Sequence, residues 1–87
     1  MSYKILIKNS AKPDLKKIRE SNLKNSFEKI LKTLEEDPYK KSDHFEPLQP
    51  KHEGYYSRRI NLKHRVVYKI DDTTKTVTIY AAWSHYQ

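Results

Sequence analysis

Three residues in the second half of this chain have the chemistry to move a proton or hold a phosphate: Glu46 in "FEPLQP", Arg65 in "HRVVY" and His85 in "SHYQ". Histidine titrates closest to neutral pH, so His85 is the first candidate for a proton donor, although taken alone it reads as an ordinary surface histidine and it shares the parity of the core residues Val77, Ile79, Ala81 and Trp83. Arg65 is followed by Val66 and Val67 in a strand-like run, and a guanidinium there needs an anionic partner or an open cleft. A phosphate would meet that need, and so would Glu46, Glu53 or an aspartate. Glu46 sits in an extended, proline-stiffened segment, either as a general base or as an ordinary loop carboxylate. Tyr55, Tyr56 and Tyr86 offer rings on which bases can stack, although half-buried tyrosines are common on sheets. His44, His52 and His64 lack metal-ligand spacing and there is no cysteine, so neither a metal site nor a cofactor is expected. Taken together, a base, an arginine and an acid are the parts of metal-free RNA scission. The base takes the proton of a ribose 2′-OH, the arginine stabilises the crowded phosphorane, and the acid protonates the leaving 5′-oxygen.

The charge of the chain points to the same partner class. Eighteen Lys and Arg against eleven Asp and Glu give a net charge of +7. The excess is concentrated between Lys51 and Ile70, where Lys51, Arg58, Arg59, Lys63, Arg65 and Lys69 face Glu53 alone. A surface that only had to be soluble would mix its signs, whereas a clustered excess suits a polyanion such as RNA or DNA. The 87 residues make one domain, 1–87, and without cysteine no disulfide staples it. No apolar run is long enough for a membrane span and no secretory leader is recognisable, so a cytoplasmic protein is expected.

The elements that must position these residues follow from periodicity. "YKILIK" reads as a strand covered on both faces, because Ile5, Leu6 and Ile7 are contiguous. Asn9 and Ser10 read as caps to a helix with Pro13 in its first turn. Leu15 and Ile18 mark its apolar side, and Ser21–Asn22 interrupts it. Leu23, Phe27, Ile30, Leu31 and Leu34 then follow a helical period that ends near Asp37, before Pro38. Tyr39–Glu53 predicts a loop with a short edge strand. Three β-like runs follow at Tyr55–Asn61, His64–Ile70 and Thr76–Ser84, the last with Val77, Ile79, Ala81 and Trp83 on its inward parity. Strand, two helices and an antiparallel meander make an α+β fold with both helices on one sheet face. The other face stays open, and Arg65, Val67 and Lys69 alternate onto it.

The motifs "EPL", "GYYSRRI", "HRVVY" and "HYQ", at the spacings they have here, resemble the Txe/YoeB branch of the RelE superfamily, toxins of bacterial type II toxin–antitoxin pairs. The specific match runs from Glu46 onward, and the strand–helix–helix beginning fits the RelE-like layout. The resemblance implies a ribosome-dependent endoribonuclease that enters the A site, cuts mRNA without a metal and stops translation. By position it implies Glu46 as general base, Arg65 as phosphate stabiliser and His85 as general acid. Tyr86 would position the scissile nucleotide, with Arg59, Lys51 and Arg58 as further RNA contacts. It also implies a cognate YefM/Phd-type antitoxin and a homodimer. The chain departs from the family pattern after Leu48, where Gln49 and Pro50 precede Lys51, and before Glu46, where "KKSDHF" replaces a glycine-containing stretch. Two other functions use the same parts: a ParE-like gyrase inhibitor on this fold, and a basic RNA-binding module without turnover.

Overall fold

The apolar periods found in the sequence build two layers, a pair of helices and one sheet. A computed structural model describes residues 2–85, with the backbone alone at Ser84 and His85. Strand β1 (Lys4–Ile7) leads through a 3₁₀ turn at Asn9–Ala11 into α1 (Lys12–Arg19) and α2 (Lys24–Glu36). Then come β2 (Glu46–Pro47), a second 3₁₀ turn at Lys51–Glu53, β3 (Tyr55–Arg59), β4 (His64–Asp71) and β5 (Thr76–His85). The strands form one mixed sheet in the order β1–β5–β4–β3–β2. β1 runs parallel to β5, while every other neighbouring pair is antiparallel.

The helices bury Leu15 and Ile18 of α1 and Phe27, Ile30 and Leu34 of α2 against Val66, Tyr68, Val77, Ile79 and Ala82 of the sheet. This is the expected α+β arrangement, with both helices on one face. Pro13 occupies the first turn of α1, where its missing N–H costs nothing. Asn9 and Ser10 do not cap that helix; they form the 3₁₀ turn in front of it, and α1 has no side-chain cap. Ser21 instead closes the inter-helix joint. Its hydroxyl donates to the Ile18 carbonyl at 2.8 Å and accepts from the Leu23 N–H at 3.1 Å.

Two local expectations are corrected. β1 is an edge strand beside β5 and is not covered on both faces: Ile5 packs against the core, while Leu6, paired with Thr78, lies 44% exposed on the open face. A contiguous apolar run therefore marked an edge here, not a central strand. In β5, the inward parity of Val77 and Ile79 does not continue to Ala81, whereas Trp83 does pack against the core. The register against β4 shifts between Arg65 and Val67, and again between Val67 and Tyr68. Those bulges bury Ala82 and leave Ala81 only partly covered, because an extra residue reverses the alternation that follows it. The start of α1 ties down this irregular stretch, with the Ala82 N–H donating to Asp14 Oδ2 at 3.2 Å.

Candidate active site on the open sheet face

The loop between α2 and β3 decides what reaches the site. Within it Asp43 and His44 both adopt left-handed backbone angles, at φ 54°, and Phe45 follows immediately. Such angles are costly outside glycine, although Asp and His tolerate them better than most residues. Arg58 stabilises this conformation from inside. It lies on the helix-side face of β3, opposite Val66, and is completely buried. Its Nη2 donates to the carbonyls of Pro38 (3.0 Å) and Lys40 (2.7 Å), and its Nη1 to that of Ser42 (2.8 Å). Its Nε donates to the Tyr68 hydroxyl at 3.0 Å, and the guanidinium stands 4.8 Å from the Phe45 ring centre. Asp43 supplies the nearest countercharge, at 4.0 Å. Burial keeps the Tyr68 hydroxyl protonated well above the ordinary range, against the opposing pull of Arg58. Arg58 was expected to touch RNA, and it does not reach the surface. Its signal was its alternation with Tyr56 and Ile60, which puts it on the core side.

Tyr56 is corrected for the same reason. It pairs with Tyr68 across β3 and β4, stacks 5.3 Å from Phe45, and belongs to the packing beneath the loop. The neighbours of opposite parity stay on the open face. Glu46 pairs with Ser57, and Arg59 pairs with Arg65. Arg65 Nη1 lies 3.8 Å from Glu46 Oε1, with the two side chains 19% and 43% exposed. At that distance and exposure the pair contributes about 0–1 kcal/mol to stability. It is a weak apposition of an acceptor and a cation that an entering anion can part.

β5 completes the neighbourhood through its backbone. Ser84 pairs with Arg65 and His85 with His64, so the segment bearing His85 adjoins the arginine across one ladder. The His64 ring stacks on Trp83 with centres 4.1 Å apart and fixes the strand just before it. Tyr86 lies outside the described residues, as does the His85 side chain. Lys51 is exposed in the second 3₁₀ turn, which closes on Gly54 at φ 77°, a left-handed angle that glycine adopts without strain. Of the expected site residues, Glu46, Arg65 and Arg59 come together on one face, and Arg58 separates from them. Among the described residues, no cluster of three or more His, Asp or Glu side chains has the arrangement of a metal site, and none of the helices is long and apolar enough to cross a membrane.

Comparison with known proteins agrees with this frame. Residues 8–86 match the model of the YoeB-like toxins of bacterial type II toxin–antitoxin systems. Over 58 residues the chain is 40% identical to toxin YoeB of Synechocystis, a stretch covering 67% of this chain and 65% of that relative. The Staphylococcus aureus YoeB dimer superposes with a TM-score of 0.83 at 28% identity, covering 99% of this chain and 100% of that one. A YoeB/ParE toxin from Agrobacterium tumefaciens shares the fold with a TM-score of 0.84 at 22% identity, over 95% of this chain and 99% of that one. A match over nearly the whole chain, on a fold that carries the expected face, makes this protein a member of the YoeB-like toxin family of bacterial type II toxin–antitoxin systems.

Proposed function

We propose that the protein is a ribosome-dependent mRNA endoribonuclease that cuts in the A-site codon and so stops translation. The observation that carries this reading is the 3.8 Å apposition of Glu46 and Arg65 on the open sheet face, beside the β5 backbone that bears His85. Glu46 accepts the proton of a ribose 2′-OH. The 2′-oxygen attacks the adjacent phosphorus, Arg65 stabilises the phosphorane oxygens, and His85 donates a proton to the departing 5′-oxygen. The products are a 2′,3′-cyclic phosphate and a free 5′-hydroxyl. Each role is filled by a side chain, so the route calls for no metal, and DNA, which lacks the 2′-OH, is not a substrate.

Arg59, across the ladder from Arg65, adds positive charge for a neighbouring phosphate, and Lys51 and Tyr86 extend the RNA contacts. An open face orients a flexible codon poorly. The ribosome supplies that orientation, a contribution worth about 7–11 kcal/mol in well-arranged reactions. The proposed setting is therefore the cytoplasm. A YefM-type antitoxin and a second copy of the chain are the proposed protein partners, by analogy with the Staphylococcus aureus YoeB–YefM complex and YoeB dimer.

The test is cleavage of an mRNA with and without programmed ribosomes, mapped by primer extension and by detection of the cyclic phosphate. Wild type should cut in the A-site codon only with ribosomes present. Glu46→Gln, Arg65→Ala and His85→Ala should each lose about 10²–10⁴-fold in rate. Growth inhibition that survives His85→Ala, with no cut in any arm, would replace this reading with a non-nuclease inhibitor.

A further inference from the structure

The open face carries a second group of side chains at the opposite end of β4 from Arg65. Tyr55 on β3, Lys69 on β4 and Tyr80 on β5 stand side by side there, and Lys8, just past β1, extends the row across the sheet. The rings of Tyr55 and Tyr80 meet edge to face with centres 5.1 Å apart. Lys69 Nζ sits 4.5 Å from the Tyr55 ring centre and 5.7 Å from that of Tyr80, and Lys8 Nζ is 4.8 Å from the Tyr80 centre. Ring and ammonium thus alternate across β3, β4 and β5 to the residue that follows β1. A shallow recess of about 370 Å³ is lined by Lys69, Ile70, Asp71, Asp72, Thr78 and Tyr80. Neither carboxylate is idle. Asp71 accepts from the N–H groups of Thr73 and Thr74, and Asp72 accepts from the hydroxyls of Tyr3 and Tyr39.

We infer that Tyr55, Lys69, Tyr80 and Lys8 form a subsite for the single-stranded RNA that flanks the scissile nucleotide. The inference rests on the RNA-cleavage reading above and adds where the rest of the strand lies. Lys69 is four residues from Arg65 on the same face of β4, roughly 13 Å at the rise of an extended strand. A chain entering at Arg65 therefore follows β4 toward the row. A base stacks on a tyrosine ring from which a lysine has swung away, and the released ammonium meets the phosphate that arrives with that base. An acidic peptide would satisfy the lysines but gain little from the interleaved rings. Alternating rings and cations, on the same face as Arg65 and Arg59 beyond Val67, fit a nucleic acid strand better.

The test is fluorescence anisotropy with a short RNA carrying 2′-O-methyl groups throughout, which the protein cannot cut, beside the same strand made abasic. Wild type should prefer the strand with bases. Tyr80→Leu should weaken that binding roughly tenfold and abolish the preference, whereas Tyr80→Phe keeps both. Lys69→Met should reduce the slope of log affinity against log salt by about 0.7. Thermal melts confirm that each variant is folded. Folded Tyr80→Leu with wild-type affinity, no preference for bases in wild type, or no RNA binding at all would overturn the subsite. So would loss in Tyr80→Leu of affinity for a poly-glutamate peptide alone. Base-dependent binding without cleavage on programmed ribosomes would refute the nuclease reading and leave the subsite standing. Cleavage with an unaffected Tyr80→Leu would do the reverse.

Discussion

Replacing Arg58 by methionine tests whether this arginine belongs to the interior or to the proposed RNA-binding face. Methionine fills a similar length but donates nothing. The change removes four hydrogen bonds of 2.7–3.0 Å, three to backbone carbonyls of residues 38–42 and one to the Tyr68 hydroxyl. Bonds from a charged donor contribute about 1.5–3 kcal/mol each, but relief of burying the charge offsets much of that sum. Leaving these acceptors without a donor costs about 1–3 kcal/mol for each one that stays buried, so a loss of about 3 kcal/mol or more is expected. A domain of 87 residues has roughly 4–13 kcal/mol of stability in total. Arg58→Met should therefore lose a large share of the fold's stability and lower Tm by at least about 12 °C. Urea titration would show a lower midpoint. Amide exchange should accelerate first at Ser42 and Phe45, whose N–H groups close the turns of this loop. Arg58→Lys, which keeps the charge and reaches fewer carbonyls, should fall between. The reasoning fails if Arg58→Met unfolds within about 0.5 kcal/mol of wild type, the range of an ordinary surface change. An RNA salt slope lowered by about 0.7 in a fully stable variant would make Arg58 a phosphate contact after all.

Two further outcomes follow from contacts away from the site. Asp14→Ala should destabilise the protein by about 1–3 kcal/mol and speed amide exchange at Ala82, whose N–H would lose its carboxylate, while Asp14→Asn should keep most of both. The hydrogen bonds from Tyr39 and then Tyr3 hold the Asp72 carboxyl below its ordinary value of 3.8, so its contribution is present above that pH and lost as pH falls below it. Urea midpoints measured on the acid side should therefore fall less steeply in Asp72→Asn, from a lower starting stability at neutral pH.

The helices and most strand positions were legible because each buries one face and its period says which. Arg65, Val67 and Lys69 fell on the open face by the same alternation. Glu46 was legible as extended because Pro47 restricts it, and the edge strand found there is only two residues long. Arg58 was misread through its company: in a run rich in cations its charge suggested a ligand, while its alternation with Tyr56 and Ile60 indicated the core. The carbonyls that satisfy it belong to residues 38–42, and no local pattern announces that they curl over β3. The bulges in β5 were equally hidden. Neither Gly nor Pro marks them, and they arise from pairing with β4. Tyr80 went unnoticed as a possible RNA contact because only the sheet order brings it beside Tyr55 and Lys69.

The sheet order also governs when during synthesis the protein can take shape. β5 follows every other described element in the chain, yet it lies between β1 and β4. While the polypeptide emerges, α1 and α2 can coil and β3 can turn back on β4. The apolar sides of the helices still have no complete sheet to cover, and Lys4 waits for Thr76. Joining them closes a long loop, whose entropy cost grows with length, and pairings so distant in sequence form slowly. Assembly is therefore postponed to one late step. A nascent chain halted before residue 76 has helices and a hairpin but no strand to unite them, and no His85 near Arg65. Completion of β5 thus acts as a timer: the face that carries Glu46 and Arg65 is assembled only when the last strand has been made.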